Sequence, residues 1–339
     1  MASYPVDGSA GGPAAWAGVV CATGAMTIVG ASFAVSEALV HYPVYTAQAV
    51  RYGLSTLVLA GAARVVHRPV PRPTRRELVR LALLAATGLA LFNVAVVRSV
   101  GHAEPAVLGV VVGMVPLVLA VGGPLARGER PPAAVVAGAG AVVAGAALVQ
   151  GGGRTDWVGL AWAVVALACE ALFTLLAAPM LARLGALGVS VHTCRIATVQ
   201  LVVLAVVLDG RKALAVPDRW QVLAVAYLVV ALTAVAFLLW FTAVARLRPE
   251  GAGLFAGIIP VAATAAGLVN GSSTVGPAVV SGVLVVAAGV VGGLAGGRSA
   301  SAREHGGQIV ADLPSPASQR GVVAPPGEPG QVGPQGDGR

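Results

Sequence analysis

The sequence predicts an all-α membrane protein with ten transmembrane helices arranged as two inverted five-helix repeats. Hydrophobic residues make up 57% of the 339 residues and charged residues only 11%, whereas about a quarter of the residues in a soluble domain are charged. Much of the apolar content falls in runs of about 20 residues, the length that crosses a hydrocarbon core of about 30 Å. A stretch with the same Gly and Pro spacing also occurs twice, which indicates that one unit has been duplicated.

The duplicated stretch extends from Pro105 to Pro116 and again from Pro249 to Pro260. Because 249 − 105 and 260 − 116 both equal 144, one shift without gaps superposes the two copies. Arg and Pro are rare within apolar segments, so their agreement under this shift predicts a tandem duplication. The same shift superposes Arg51 on Arg195, Pro73 on Pro217, Arg75 on Arg219, Gly138 on Gly282 and Gly145 on Gly289.

Apolar runs give the predicted spans in chain order. They cover 16–36, 43–65, 78–98, 104–126, 132–150, 157–182, 187–208, 220–245, 249–270 and 275–297. Residues 1–15 contain no Lys or Arg and so lack the basic region of a cleavable signal peptide. The first run is therefore predicted to be a transmembrane helix that is not cleaved. We expect a cytoplasmic N-terminal tail over 1–15, the first repeat over 16–150, the second over 157–297, and a disordered cytoplasmic tail, rich in Pro, Gly, Ser and Gln, over 298–339.

The distribution of basic residues predicts the orientation. With the N-terminus inside, eleven Lys or Arg residues fall in the inside loops and five in the outside loops, before the C-terminal tail is counted. Cytoplasmic loops carry such an excess, so we predict a multi-pass protein of the cell (cytoplasmic) membrane with both termini cytoplasmic. The formal charge of +8 is therefore attributed to the basic loops that set the orientation in the membrane, and no nucleic-acid partner is expected.

The number of spans in each repeat has a mechanical consequence. Five is odd, so the second unit must enter the membrane in the opposite direction from the first. Inverted repeats of this kind are the basis of many secondary transporters. One fold in two orientations gives two states of similar energy, each open to one side. The repeat therefore predicts alternating access.

Three features resemble a known family: the five-plus-five spans, an Arg in the second helix of each half, and the small-residue runs that end in Pro. These features are similar to those of the EamA-type transporters of the drug/metabolite transporter superfamily. The resemblance implies a central cavity lined by helices 1 to 4 and 6 to 9. It also implies a dimer-like edge at helices 5 and 10, through which a homodimer can form. The function that it implies is the transport of small metabolites. The residues that carry it are Arg51, Arg195, Gly113 to Pro116 and Gly257 to Pro260.

Glu170 is the only acidic residue near the centre of any predicted span. A charged side chain at this depth costs about 2.5–3.5 kcal/mol on insertion scales, so it must face protein or water. One interpretation is a carboxylate that binds a proton or another cation during transport. The other is a structural counter-ion, for which Arg195 is the candidate because its side chain can bridge the axial offset. The two interpretations are compatible with each other.

Arg51 and Arg195 are predicted near opposite ends of the bundle. They are candidates for gate contacts, for attraction of anionic groups, or for capping of free carbonyls, with Glu37 as a candidate partner of Arg51. Each has a polar residue one turn before it, since 48 + 144 = 192. The candidate residues of the substrate pathway or of coupling are Glu170, Arg51, Arg195, Gln48, His192 and Asn93. For Asn93, a hydrogen bond to a neighbouring helix is as good an explanation as contact with a substrate.

The repeated Gly and Pro residues are predicted to border the transport path. A mid-span Pro removes a backbone donor and interrupts the helix, which is tolerated only against protein or a cavity. The same residues also suit close helix packing and hinge motion, so direct contact with substrate is not implied. The predicted hinge or cavity-lining residues are Gly113, Pro116, Gly257 and Pro260.

The expected function is a secondary transporter that moves small metabolites, such as amino acids or related compounds, with export as the expected direction. The chain has no GxxxxGK[ST], HExxH or GxSxG motif, so neither ATP use nor catalysis is expected. No cofactor or metal site is expected, and the partners are a small-molecule substrate and the lipid bilayer. The alternative functions are a non-transporting membrane scaffold or sensor, and a membrane enzyme, for which the spans offer few polar groups.

Overall fold

The computed structural model describes residues 13–151, 153–269 and 276–311. Over this part of the chain the structure is helical, apart from loops and one isolated β-bridge between Ala103 and Thr155. Residues 1–12 and 312–339, which hold most of the two expected tails, lie outside the described residues. The chain divides into two units, 1–298 and 299–339, and all packing below belongs to the first.

Seven α-helices form the first half of the chain. They are α1 (Pro13–Ser36), α2 (Val44–Val65), α3 (Arg75–Ala85), α4 (Phe92–Val100), α5 (Pro105–Val112), α6 (Val115–Leu125) and α7 (Ala133–Gln150). A π-helical segment, Ala86–Leu91, joins α3 to α4 without a loop. α3 begins with a capping box, in which the side chains of Thr74 and Glu77 each accept from the other residue's backbone N–H.

The second half contains five further α-helices. They are α8 (Trp157–Leu204), α9 (Arg219–Tyr227), α10 (Ala236–Gly253), α11 (Ile258–Val269) and α12 (Pro277–Ala311). A π-helical segment, Leu228–Val235, joins α9 to α10, and a 3-10 segment, Leu254–Gly257, joins α10 to α11. α12 continues past residue 298, where the sequence places the start of the tail.

Two of these helices are each interrupted by one residue in a non-helical conformation. Gly185 in α8 has φ 66° and ψ 170°, a backbone geometry that is essentially limited to glycine. Arg248 in α10 has φ 63° and ψ 160° and is followed by Pro249, which cannot donate a helical hydrogen bond. The chain therefore forms two helical segments on either side of each residue. Both breaks fall at loops that the sequence predicts on the cytoplasmic side.

Seven helical segments of the described residues are long and apolar enough to cross a membrane. Two of them contain 58 and 51 residues, which is about 87 and 76 Å of straight helix, against a hydrocarbon core of about 30 Å. The breaks at Gly185 and Arg248 lie inside these two segments. α2 is not one of the seven, and its first part carries Gln48 and Arg51. The sequence predicts two spans in each of these two long segments and one span in α2, which accounts for the difference between seven segments and ten predicted spans.

Two of the helix interruptions recur at the same places in the two repeats. Shifted by 144, the π-helical segment Ala86–Leu91 becomes 230–235, which lies within the π-helical segment Leu228–Val235. A further π-helical segment, Ala205–Asp209, follows α8 and has no counterpart, because 61–65 is regular helix in α2. The break between α5 and α6 at Gly113 and Met114 shifts to 257–258, where the 3-10 segment ends and α11 begins. The duplication therefore extends to local backbone geometry. This agreement supports the tandem repeat independently of side-chain identity.

Helix packing places α8 at the centre of the first unit, where it contacts α2, α3, α4 and α10, while α1 packs against α10 and α11. Much of the outer surface is apolar. Leu57, Val207 and Trp157, for example, expose 69%, 70% and 78% of their surface. Large exposed hydrophobic side chains on many helices fit a protein surrounded by lipid.

Four glycines bring α7 and α12 into close contact. A Cβ atom placed on Gly138 would lie 2.7 Å from the carbonyl oxygen of Gly289, and one on Gly145 would lie 2.7 Å from that of Gly282. The contacts are reciprocal, because Gly138 corresponds to Gly282 and Gly145 to Gly289 under the 144-residue shift. Two copies related by a pseudo-two-fold axis give this pattern. Only glycine permits such an approach of two backbones within the membrane.

We predict that Gly138→Ala lowers the free energy of unfolding by about 1–3 kcal/mol, as overpacking of a core does. The added methyl group would meet the backbone of Gly289 and of Gly293 on the facing helix, and backbone atoms have no rotamer by which to move away. The measurement is the midpoint of thermal unfolding of the detergent-purified protein. Gly140→Ala is the matched control, since a Cβ there would have no atom within 4 Å. Equal midpoints for the two variants would contradict the close contact.

Candidate functional site

Arg51 of α2 joins the first repeat to the second. The residue is buried, with 8% of its surface exposed. Its Nε donates a hydrogen bond to Thr233 Oγ1 at 2.6 Å, and its Nη1 donates to Gln48 Oε1 at 3.1 Å. The guanidinium also lies over the Tyr52 ring, 4.8 Å from the centroid. No ion pair joins Arg51 to Glu37 in the described part of the chain, so the partner suggested by the sequence is not used here.

Ser55 lies one turn after Arg51 and contacts the same element. Its hydroxyl is positioned to donate to the carbonyl oxygen of Val229 at 3.2 Å, as well as to the carbonyl oxygen of Arg51 at 2.7 Å. Val229 and Thr233 both belong to the π-helical segment between α9 and α10. α2 therefore supplies two polar side chains to the part of the second repeat where the regular helical hydrogen bonds change. Side chains of neighbouring helices are the expected partners of such freed groups.

Arg195 forms the equivalent pair in the second repeat. Its Nη2 lies 3.3 Å from His192 Nδ1, and His192 Nε2 lies 2.8 Å from the carbonyl oxygen of Pro71. A carbonyl oxygen only accepts, so Nε2 carries the proton and Nδ1 accepts from Arg195. The Arg and the polar residue before it are thus paired in both repeats. The environments differ, because Arg51 is buried while Arg195 is exposed at a cavity.

Glu170 lies in the first part of α8 and is half-buried. Neither a hydrogen bond nor a salt bridge links its carboxylate to another described residue. Arg195, the counter-ion that the sequence suggests, binds His192 instead, so the Glu170–Arg195 pair is not formed in this structure. Tyr52 lies within electrostatic range of Glu170. The candidate coupling carboxylate and the buried Arg51–Tyr52 contact therefore belong to the same region of the bundle.

An aromatic cluster begins one turn after Glu170 on the same helix. The Phe173 ring lies 5.2 Å from the ring of Phe237 and 5.3 Å from that of Phe241, and Tyr52 lies 6.4 Å from Phe237. Gly88 of the first π-helical segment packs on Phe173, where a Cβ atom would lie 2.7 Å from the ring. The cluster brings together α2, α8, α10 and the segment between α3 and α4. An apolar wall beside a few polar groups is the usual composition of a small-molecule site.

Asn93 is placed by the first π-helical segment. Its Nδ2 donates to the carbonyl oxygen of Leu89 at 2.6 Å, so its amide satisfies a backbone group of its own helix. The side chain also lies against that of Tyr52. Asn93 is thus part of the same polar region as Arg51 and Glu170.

The repeated Gly and Pro residues lie at the interruptions of the fourth helix of each repeat. Gly113 follows the last residue of α5, and its N–H donates to the carbonyl oxygen of Gly109 at 2.8 Å. Gly257 ends the 3-10 segment and packs against Val142 of α7 and Val286 of α12. Pro116 and Pro260 are both buried. Gly257 therefore contacts helices rather than a cavity, and the hinge role of these residues stays a prediction.

A cluster of four charged residues joins the loop after α6 to the break in α10. Arg127 binds Glu250 with both of its Nη atoms, at 2.8 and 3.3 Å. Arg248 binds Glu129 at 2.6 Å and Glu250 at 3.2 Å. The hydrogen bond from Arg127 holds the pKa of Glu129 below its usual range. Glu129 therefore contributes stability at a pH above its unfolded pKa, and that contribution is lost as the pH falls through the folded pKa.

Comparison with known proteins gives the family. The sequence model of the EamA-like transporter family matches residues 16–150 and, separately, 157–294. The chain belongs to the EamA-like transporter family. It is therefore a multi-pass membrane protein of a transporter family, and the matches fall on the two halves that the 144-residue shift relates.

Individual relatives are more distant. A Bacillus subtilis (strain 168) protein named "Uncharacterized transporter YetK" is 24% identical over 247 residues, which cover 70% of this chain and 75% of that protein. A Streptantibioticus cattleyicolor protein named "Probable terminal-alkyne amino-acid exporter" is 28% identical over 200 residues, covering 57% of this chain and 66% of that protein. A crystal structure that is 18% identical shares the fold, with a TM-score of 0.71 over 81% of this chain and 96% of that chain.

The sequence did not point to several groups of this EamA-like site. Thr233, Ser55 and the aromatic rings carry no charge and sit in ordinary apolar runs, so no sequence signal separates them from packing residues. Two buried polar atoms in the second part of α8, Thr193 Oγ1 and Gln200 Oε1, have no hydrogen-bond partner among the described residues. Such atoms are costly when buried without a partner, so they are candidates for contact with a ligand or with water.

We predict that Thr233→Val lowers the free energy of unfolding by about 1–3 kcal/mol, the usual cost of leaving a buried polar group without its partner. The change removes the hydroxyl that accepts from Arg51 Nε and retains the shape of the side chain. Thr242→Val is the matched control, because the Thr242 hydroxyl bonds only the Leu238 carbonyl of its own helix. Thermal unfolding of both variants in detergent measures the difference. If both lose the same stability, the Arg51 contact does not support the fold.

Proposed function

We propose that the protein is a secondary transporter that carries a small metabolite, such as an amino acid or a related compound, by alternating access. In this proposal ten spans form two inverted five-helix repeats, over 16–150 and 157–297, in the cytoplasmic membrane. The expected direction is export. The membership of the EamA-like transporter family supports the class of function, and no enzymatic step is part of the proposal.

The observation that carries the proposal is the recurrence of helix interruptions at equivalent places in both repeats. Regular helices give one stable packing, whereas breaks provide the positions at which a segment turns without disturbing the remainder. Equivalent breaks let either repeat adopt the conformation of the other. Exchange of the two conformations opens the path to one side and closes it to the other.

Within this proposal the central site is the region around Glu170, Arg51, Asn93 and the aromatic cluster. The carboxylate of Glu170 has no hydrogen bond or ion pair with the other described residues, so it is free to take a proton or to contact a cationic group. An amino group on the substrate is one such cation. The name of the Streptantibioticus cattleyicolor relative, an amino-acid exporter, favours the same substrate class.

The test of transport is counterflow in proteoliposomes. Vesicles that contain the purified protein and an excess of one unlabelled amino acid should accumulate the same labelled amino acid transiently, whereas empty vesicles should not. A panel of amino acids and related amines identifies the substrate. Failure of every compound in the panel, with protein that is folded and correctly inserted, would contradict the proposed substrate class.

The role of Glu170 is tested by Glu170→Gln, which keeps the size of the side chain and removes its ability to bind a proton. We expect the variant to retain counterflow and to lose most accumulation that is driven by an imposed proton gradient, because the side chain that carries the proton is removed. Glu37→Gln is the matched control, because Glu37 is exposed at the end of α1. Accumulation by Glu170→Gln at the level of the control would remove Glu170 from coupling.

The orientation is tested with reporter fusions. Both termini are proposed to be cytoplasmic, so alkaline phosphatase fused after residue 298 should be inactive, and the same enzyme fused after residue 153 should be active. A green fluorescent protein reporter should give the reverse result at the same two positions. Active phosphatase at both positions would exclude the proposed topology. A homodimer through the edge formed by α7 and α12 is also part of the proposal, and the mass of the protein in detergent measures it.

A further inference from the structure

A basic cavity lies between the end of α2, the loop that follows it and the second part of α8. Its volume is about 550 Å³. Four arginines line it, Arg64, Arg68, Arg72 and Arg195, together with two histidines, His67 and His192. No acidic side chain lines it. The cavity therefore concentrates positive charge that its own walls do not neutralise.

The lining arginines differ from other arginines of the same protein. Arg127, Arg183 and Arg248 each bind a glutamate. Within the described chain, by contrast, no salt bridge joins an arginine of the cavity to an acid. Glu77, whose charge reaches His192, is already held by Arg183. The charge of the cavity is therefore not neutralised by a salt bridge within the described chain.

The cavity is built by specific local geometry. His67 adopts φ 53°, a left-handed conformation in which the chain turns after α2, and the Arg68 N–H donates to the Ala63 carbonyl oxygen at 2.9 Å. The next part of the loop is fixed by the hydrogen bond between His192 Nε2 and the Pro71 carbonyl oxygen. His192 Nδ1 in turn accepts from Arg195, which holds that guanidinium at the wall. The basic groups are thus positioned before any ligand arrives.

We propose that this cavity binds a phosphate group carried by an anionic ligand. Guanidinium groups match phosphate oxygens in pairs and are the preferred partners of phosphate in proteins. The inner wall is apolar, with Ala60, Ala63 and Val191 on the helices. A basic rim above an apolar helical wall suits the headgroup of an anionic phospholipid whose acyl chain follows the helices. A soluble phosphate compound would bind the same arginines without contacting the apolar wall. Both ligands share the phosphate group, and the experiment distinguishes a lipid from a soluble compound.

The experiment compares ligands with the whole protein in detergent and in nanodiscs. Native mass spectrometry counts phosphatidylglycerol molecules that stay bound, with phosphatidylcholine as the zwitterionic control. The double variant Arg64→Gln/Arg68→Gln should bind phosphatidylglycerol about tenfold more weakly, since each basic residue near an anionic lipid contributes a several-fold factor. In a second arm, inorganic phosphate and glycerol phosphate at millimolar concentration are tested for binding and for competition with the lipid.

The matched control is Arg75→Gln/Arg76→Gln, which removes the same charge from the neighbouring first turn of α3 without touching the cavity wall. We expect this control to bind phosphatidylglycerol as the unmodified protein does. If only the cavity variant loses bound phosphatidylglycerol, the proposal is supported and the ligand is a lipid. If soluble phosphate binds to the unmodified protein and the control but not to the cavity variant, the proposal is supported and the ligand is a soluble compound. Equal losses in both double variants, or no selective binding of either ligand, would overturn it. The test does not depend on transport.

Discussion

The hydrogen bonds that satisfy interrupted helices are the interaction on which this fold depends. In hydrocarbon, water does not satisfy a free backbone group, so every departure from α-helical bonding needs a partner inside the protein. The π-helical segments Ala86–Leu91 and Leu228–Val235 have such partners. Asn93 donates to the Leu89 carbonyl oxygen in the first, while Thr233 donates to that of Leu228 and Ser55 to that of Val229 in the second. These bonds let the chain retain irregular positions within its helices.

The same constraint explains why equivalent arginines behave differently. Arg51 faces Thr233, whose hydroxyl accepts its Nε, so the guanidinium is stable while buried. The residue equivalent to Thr233 in the first repeat is Leu89, since 233 − 144 = 89, and a leucine offers no acceptor. Arg195 turns instead to His192 and to the basic cavity. The second repeat thus offers Arg51 a buried acceptor, whereas the position equivalent to Thr233 offers none, and Arg195 is exposed.

These particulars show what a single sequence can and cannot predict. The repeat, the Arg pairs with Gln48 and His192, and the membrane class follow from spacing and composition, because a shift of 144 residues and long apolar runs are properties of the chain itself. The partner of Arg51, the bond from His192 to Pro71 and the contacts of Phe173 and Tyr52 in the aromatic cluster do not, because they join residues at least 64 positions apart. Glu170 was located by its depth, but its separation from Arg195 depends on helix rotation, which sequence spacing does not fix.

That separation matters for the physical role of Glu170. A structural counter-ion is neutralised by its partner in every state, and removal of either member leaves a costly charge. A carboxylate without such a partner has its lowest energy only when a proton or a cationic ligand is present, because charge is penalised in an apolar bundle. Its occupancy then differs between states that expose it and states that do not. Under the proposed alternating access, two conformations built from one repeated fold are close in energy, and a difference of this kind would select between them. The absence of the Arg195 contact thus favours a switching role for Glu170 over a purely structural one.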